Sequence, residues 1–265
     1  MTSLPSWLLY VFAGVLGACI GSFLNVCIHR LPYGESILWP PSHCPRCKRR
    51  LAWWENIPLV SYAALRGRCR SCKGRISPVY PLVEFIAAAL SVACWWHFHE
   101  VKLYFLYYLL LTAPLIVVSF IDLEHRIIPD VISLPGIVAG VGTHVVVAGM
   151  PLAAEAVLDS AIGIIVGGGF LYLVAVTYEK LKKHEGLGGG DVKLAAMLGA
   201  FFGWRAVIFI LLMSSVLGSA IGLILIAVFR KNFKFAIPFG PFLAAGGLIY
   251  LFFGVRIITW YLGFF

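Results

Sequence analysis

Two aspartates and four cysteines stand out as the residues able to carry chemistry in this chain. Asp122 closes an apolar run, in Ser119-Phe-Ile-Asp122-Leu-Glu-His-Arg-Ile-Ile-Pro-Asp130. Asp191 opens another, in Gly188-Gly-Gly-Asp191-Val-Lys193-Leu. Ionisable groups at the edge of apolar spans are costly and mark function. Asp191 by itself is equally a helix N-cap, and Asp130, just after Pro129, is fully explained as one. Asp122 resists that reading, because a carboxylate at a helix C-terminus opposes the macrodipole. Lys193 sits in a first helical turn, where a cation is unfavoured for the same reason. Two carboxylates at low dielectric share one proton and titrate as a unit. One then activates water while its protonated partner polarises a carbonyl, which is aspartic proteolysis. By the helix ends, Asp191 is expected as the base and Asp122 as the proton carrier. Gly188 and Gly190 allow a backbone or an extended substrate to come close.

The cysteines form two pairs, Cys44-Pro-Arg-Cys47 and Cys69-Arg-Ser-Cys72, with 21 residues between them. Two such turns facing each other make a closed tetrahedral thiolate site, the usual setting of structural zinc. A closed shell leaves no open position for catalysis. The surrounding block of about 50 residues has little core of its own, so a metal staple has a clear purpose. His43 is a weaker ligand candidate. Redox-active pairs are disfavoured, since no thioredoxin-like strand and helix flank them.

These groups must be positioned by a membrane protein. Of the 265 residues 61% are hydrophobic and 12% are charged, with mean hydropathy +0.92; soluble domains carry about 25% charge. The expected fold is an all-α polytopic membrane protein with about eight spans and a small zinc-stapled domain between the first two. The spans run about 7–28, 82–98, 103–121, 131–148, 153–178, 192–202, 206–229 and 237–258. Only Gly203-Trp204-Arg205 parts the sixth from the seventh. The domain division is 1–28, a first transmembrane helix, 29–81, a zinc-binding domain, and 82–265, a seven-helix peptidase domain. With the N-terminus outside, 18 of the 21 Lys and Arg residues fall on inner segments, which sets the orientation and puts the zinc block in the reducing cytosol. It also accounts for the net charge of +9 without nucleic acid. Residues 1–29 lack Lys and Arg, so the first span reads as retained rather than as a cleaved leader, despite the lipoprotein-like Leu16-Gly-Ala-Cys19. No internal repeat is evident. Both Asp122 and Asp191 then lie at the inner face.

At these residues the chain resembles the type IV prepilin peptidases, a family of membrane aspartic proteases. Gly188-x-Gly190-Asp191 is similar to the family's G-x-G-D signature, and Asp122 to its first catalytic aspartate. Cys44, Cys47, Cys69 and Cys72 match its cytosolic metal tetrad. Gly21-Ser-Phe-Leu-Asn25-Val-Cys-Ile-His-Arg30-Leu-Pro32 and Pro238-Phe-Gly-Pro241 are similar to its first-span and last-span motifs. The likeness covers about residues 14–250. It implies cleavage of a prepilin or pseudopilin leader after a glycine at the cytosolic face of the bacterial inner membrane. N-methylation of the new terminus with S-adenosylmethionine follows. The carboxylates supply no methyl chemistry, so a second site is implied, and the cytosolic block is its expected place, since archaeal relatives without the block do not methylate. Glu124, Glu179 or Glu185 would meet the basic leader, although solvated loops explain them equally. Lys193 would pair with an acid early in the mature pilin. A transporter with intramembrane aspartates is the main alternative, but here the acids gather at one face. A non-catalytic zinc-bearing scaffold would need no Asp122.

Overall fold

The computed structural model describes residues 5–182, 188–229 and 237–263. Glu185, expected to meet the leader, lies outside these residues, as do four of the 18 inner basic residues, Lys183, Arg230, Lys231 and Lys234. The helices are α1 Ser6–Arg30, α2 Val60–Ala64, α3 Val79–Phe98, α4 Val101–Tyr107, α5 Ala113–His125, α6 Asp130–Ala148, α7 Ala153–Lys182, α8 Gly189–Phe229, α9 Gly240–Ile249 and α10 Val255–Leu262. A wide π turn, Tyr108–Thr112, joins α4 to α5, and another, Tyr250–Gly254, joins α9 to α10. Among the described residues, seven helical runs are long and apolar enough to cross a membrane. The run α8 spans 41 residues but leaves helical geometry at Gly203 (φ 79°, ψ 178°). Counting its two halves gives eight segments, divided where Gly203-Trp204-Arg205 was expected to divide them. The positive φ suits only glycine at low cost, and the Asp159 carboxylate occupies the space a Cβ would need.

The chain forms two compact units, 1–117 and 118–265. In the first, α1 packs on α3. The close approach is set by Gly17 and Gly21: a Cβ there would come within 2.5 Å of Ser91 Cβ and 2.7 Å of Glu84 Cα. Small residues serve this purpose where lipid offers no hydrophobic drive between helices. The fully buried Ser91 hydroxyl donates to Ala13 O at 2.6 Å and lies 2.7 Å from the Tyr104 hydroxyl. The Tyr108 hydroxyl donates to Ala87 O at 3.0 Å. Each of these hydroxyls thus finds a partner, as hydrocarbon requires.

In the second unit α8 packs on α6, α7 and α9. Gly163 of α7 lies against Gly199 of α8, and Gly136 and Gly140 of α6 lie against Met197 and Phe201. The outward faces carry apolar side chains such as Leu173, Leu212 and Val216, each more than 60% exposed in the isolated chain. In a bilayer these face lipid tails and need no further cover.

Candidate active site and metal centre

Asp122 lies in the last turn of α5 and Asp191 in the first turn of α8. Both are buried, with 5% and 9% exposure. They are close enough to interact electrostatically, so folding brings together two acids 69 positions apart. α5 ends where Arg126 adopts a left-handed conformation (φ 56°), its N–H bonding to Asp122 O at 2.9 Å. α8 begins with the Asp191 N–H bonded to Gly188 O at 3.1 Å.

The objection that Asp122 opposes its own helix dipole has a structural answer. Its Oδ2 accepts the Gly240 N–H at 2.9 Å. Gly240 is the first residue of α9, with Pro at the following position, so the positive end of a different helix meets this carboxylate. Asp191 Oδ1, in contrast, is buried without a partner. Helix-end arguments drawn from the sequence made Asp191 the better-stabilised anion. In the folded chain it is Asp122 that holds the N–H at the start of another helix, while one oxygen of Asp191 stays unpartnered.

Ile128 locks this arrangement. Its side chain sits 2.7 Å from where a Gly190 Cβ would lie and 3.1 Å from where a Gly240 Cβ would lie. The close approach expected at Gly190 is therefore made by the chain's own Ile128. Gly189 faces open space, and a Cβ at Gly188 would meet nothing nearer than the Asp191 carboxylate, at 3.7 Å. Gly240 and Ile128 were missed as site residues. Pro238-Phe-Gly-Pro241 was noted only as a motif, yet glycine and proline at a helix start are the physical signal of an exposed N–H.

Lys193 points elsewhere than expected. Its Nζ bonds both oxygens of Asp130, at 2.6 and 2.7 Å. Asp130 is the first residue of α6, with Pro129 at the N-cap, so it is an acid of the first turn rather than the cap itself. The pair is substantially exposed, and such pairs contribute about 0–1 kcal/mol. Glu124 and Glu179 are exposed, as solvated positions would be.

The four cysteines converge. Their Sγ atoms all lie within 4.8 Å of one another, with Cys44 to Cys72 at 3.9 Å and Cys47 to Cys69 at 4.0 Å. Tetrahedral Zn–S bonds of about 2.3 Å require sulfurs about 3.8 Å apart, so the donor set fits a metal ion. His43 is turned to Pro41 O instead, at 3.2 Å. Each pair sits on the same knuckle. Cys44 N–H bonds Arg49 O and Lys48 N–H bonds Cys44 O, while Cys69 N–H bonds Gly74 O and Lys73 N–H bonds Cys69 O. Lys48 and Lys73 have matching left-handed backbones, φ 57° and 56°. Cys44-Pro-Arg-Cys-Lys-Arg-Arg50 and Cys69-Arg-Ser-Cys-Lys-Gly-Arg75 are thus a local repeat, contrary to the expectation of none. It was overlooked because only seven residues carry it. Backbone N–H groups of Cys72 and then Ser71 pull the Cys69 thiol down to about 6, toward the thiolate a metal needs. Arg49 bonds the buried Glu55 at 2.5 Å and, with the Ala52 N–H, holds that carboxyl below the usual range.

A helical membrane protein that has two buried carboxylates at helix ends in one unit and a four-thiolate centre in the other is the class defined so far. Residues 15–98 match the bacterial peptidase A24 N-terminal domain, and residues 109–223 match the type IV leader peptidase family. Three similar proteins are each named prepilin leader peptidase/N-methyltransferase. That of Pseudomonas putida is 38% identical, over 92% of this chain and 91% of its own. That of Pseudomonas aeruginosa is 38% identical, over 94% and 92%. That of Myxococcus xanthus is 43% identical, over 85% of this chain and 66% of its own length. No solved structure matches. This chain belongs to the type IV leader peptidase family.

Proposed function

We propose that this protein is a membrane aspartic endopeptidase that removes prepilin leaders with Asp122 and Asp191 and then N-methylates the new terminus. Prepilin processing and methyl transfer follow from membership of the family. The observation that supports this assignment of residues is the meeting of two buried carboxylates, one holding a backbone N–H and the other keeping a free oxygen.

The division of labour follows from those partners. Asp122, oriented by Gly240, activates the water. Asp191 carries the proton that polarises the scissile carbonyl, through its unpartnered Oδ1. Burial excludes competing water and strengthens both interactions. The substrate backbone approaches along Gly188 and Gly189, whose open faces leave room for an extended chain. Gly190 supports the site by accommodating Ile128. Lys193 reaches an acidic residue of the pilin only by releasing Asp130. The active site faces the cytosol of the inner membrane, with the N-terminus outside, on the strength of the basic-residue asymmetry.

The functional partition is a first helix to residue 28, a metal-binding block to 81 and the peptidase from 82 onward. In the block the metal is zinc, held by Cys44, Cys47, Cys69 and Cys72, and its chemistry there is structural. The methyl group comes from S-adenosylmethionine.

Mass spectrometry of a co-expressed prepilin tests the whole reading. A product lacking its leader and carrying one added methyl is expected; an intact precursor would refute it. A second measurement addresses the support of Asp122. In Gly240→Ala the new methyl would sit 2.7 Å from Asp122 Oδ2 and push the carboxylate off its N–H. Leader cleavage is expected to fall about 10–100-fold, the scale of a misplaced catalytic group, with helical circular dichroism unchanged.

A further inference from the structure

Soon after α1 ends, the chain turns apolar again outside any span. Ser36-Ile-Leu-Trp-Pro-Pro-Ser42 carries no charge, whereas Arg46, Lys48, Arg49 and Arg50 crowd the residues that follow His43. Leu38 and Trp39 leave 84% and 72% of their surface uncovered, and Ile37 is exposed beside them. A soluble loop hides such neighbours or replaces them with polar residues; a contiguous uncovered apolar patch marks an interaction surface.

Much of the segment's backbone is satisfied without water. Arg30, the buried last residue of α1, donates to Ser36 O at 2.8 Å and to Pro40 O at 2.6 Å. The Leu38 and Trp39 N–H groups both bond Ser36 Oγ, each at 3.3 Å. Pro40 and Pro41 have no N–H to satisfy. Leu51 N–H bonds Ser42 O at 2.9 Å, and the His43 ring lies 3.2 Å from Pro41 O. Internal satisfaction of this kind is what a chain needs where it leaves water for lipid.

The segment also stands beside the part of α1 that crosses the bilayer. A cavity of about 320 Å³ lies between them, lined by Cys19, Phe23 and Val26 of α1 and by Ile37, Leu38 and Pro40 of the segment. Cys19 is about 16 Å short of Arg30 along the helix, at 1.5 Å per residue. α1 starts at Ser6, and about 20 residues span the hydrocarbon, so Cys19 to Val26 lie in the half of the bilayer nearer the metal-binding block. Cys19 and Phe23 are exposed on that helix and face lipid there. The cavity wall is thus continuous with a lipid-facing surface.

We propose that residues 36–41 are a membrane anchor, inserted into the leaflet at the C-terminal end of α1, with lipid tails filling the cavity behind them. Leu38 and Trp39 enter the boundary between headgroups and tails, where tryptophan is favoured. Arg30 braces the loop from within, and the basic residues beyond His43 stay in the headgroup layer and meet its anionic lipids. The anchor holds the metal-binding block down on the bilayer from which α1 emerges. This holds for that leaflet whichever face of the cell it is, and whatever reaction the protein catalyses.

Fluorine NMR of the full-length protein, made with 5-fluorotryptophan and placed in nanodiscs of phosphatidylcholine and phosphatidylglycerol, tests this. The Trp39 resonance is the one missing from Trp39→Phe. A nitroxide near the top of the lipid tail should broaden it at least about threefold more than a nitroxide at the tail's end, as insertion by about 5–10 Å requires. A water-soluble gadolinium chelate should broaden it at least about threefold less than it broadens free fluorotryptophan, because an inserted ring is withdrawn from water. Arg30→Lys keeps a cation at the end of α1 but cannot bridge both carbonyls, so the lipid broadening should fall by about half or more, with helical circular dichroism and bound metal unchanged. Full access of the chelate to Trp39 would place the segment in water. Shielding from both agents would mean that protein covers it. Either result overturns the proposal, as does a stronger effect from the tail-end label. Unchanged lipid contact in Arg30→Lys would overturn the part given to Arg30.

Discussion

Asp122→Asn and Asp191→Asn each lose at least about 1,000-fold in kcat/KM for leader cleavage, and the double variant is no worse than either single one. General acid–base groups typically contribute 10²–10⁴-fold, and groups that act as a unit are removed as a unit. Asn fills the same volume, so the buried pocket is not emptied. In Asp122→Asn the side-chain carbonyl can still accept the Gly240 N–H. The fold is therefore kept while the base is lost. In Asp191→Asn the neutral amide offers no proton to the substrate carbonyl. Steady-state cleavage of a purified prepilin, followed by mass spectrometry, measures both. Turnover within tenfold of wild type in either variant would remove the carboxylate pair from the mechanism. Methylation of a pre-cleaved pilin should survive in both, because a carboxylate pair that activates water supplies no methyl chemistry.

Removing one thiolate from the cysteine cluster has the other large effect, and it falls on folding. Structural zinc contributes on the order of 10–16 kcal/mol of apparent binding free energy in small domains at pH 7. Otherwise the block between α1 and α3 is held by short helical turns, the buried Glu55 pair and a few side-chain bonds such as those of Arg30 to Ser36 O and Pro40 O. Cys69→Ser should lower bound metal, read by elemental mass spectrometry, from one ion per chain to less than about 0.1. Trypsin should then cut rapidly within residues 44–75, where Lys and Arg are dense, while the spans stay protected. Cys19→Ser, outside the cluster, should do neither. Full metal retention by Cys69→Ser would exclude a four-thiolate site.

Much of this molecule is legible without coordinates. Apolar runs announce the spans, since any helix crossing hydrocarbon must satisfy its backbone within itself and show apolar side chains outward. The break at Gly203 was expected from three residues, Gly203-Trp204-Arg205. The cysteine spacing led to the cluster, because two C-x-x-C turns can converge on one ion. Helix ends are less legible. α3 starts at Val79 rather than Leu82, and α7 continues past Tyr178 through Glu179-Lys180-Leu181-Lys182, where polar residues extend a helix beyond the apolar core of its span. Lys193 shows a partner that no local pattern announced: its Nζ bonds Asp130, 63 positions away.

Residue types and their spacing sufficed for the membrane class, the two aspartates and the four thiolates, because in each case the chemistry resides in the side chain itself. The identity of the carboxylate that receives a backbone donor depended on the folded chain. An amide N–H is common to every residue but proline, so Gly240 carried no sign of its partner. The same holds for Asn25, whose Oδ1 is buried without a partner. Burial turns an ordinary polar residue into an unsatisfied one, and burial is a property of neighbours brought together from distant parts of the chain.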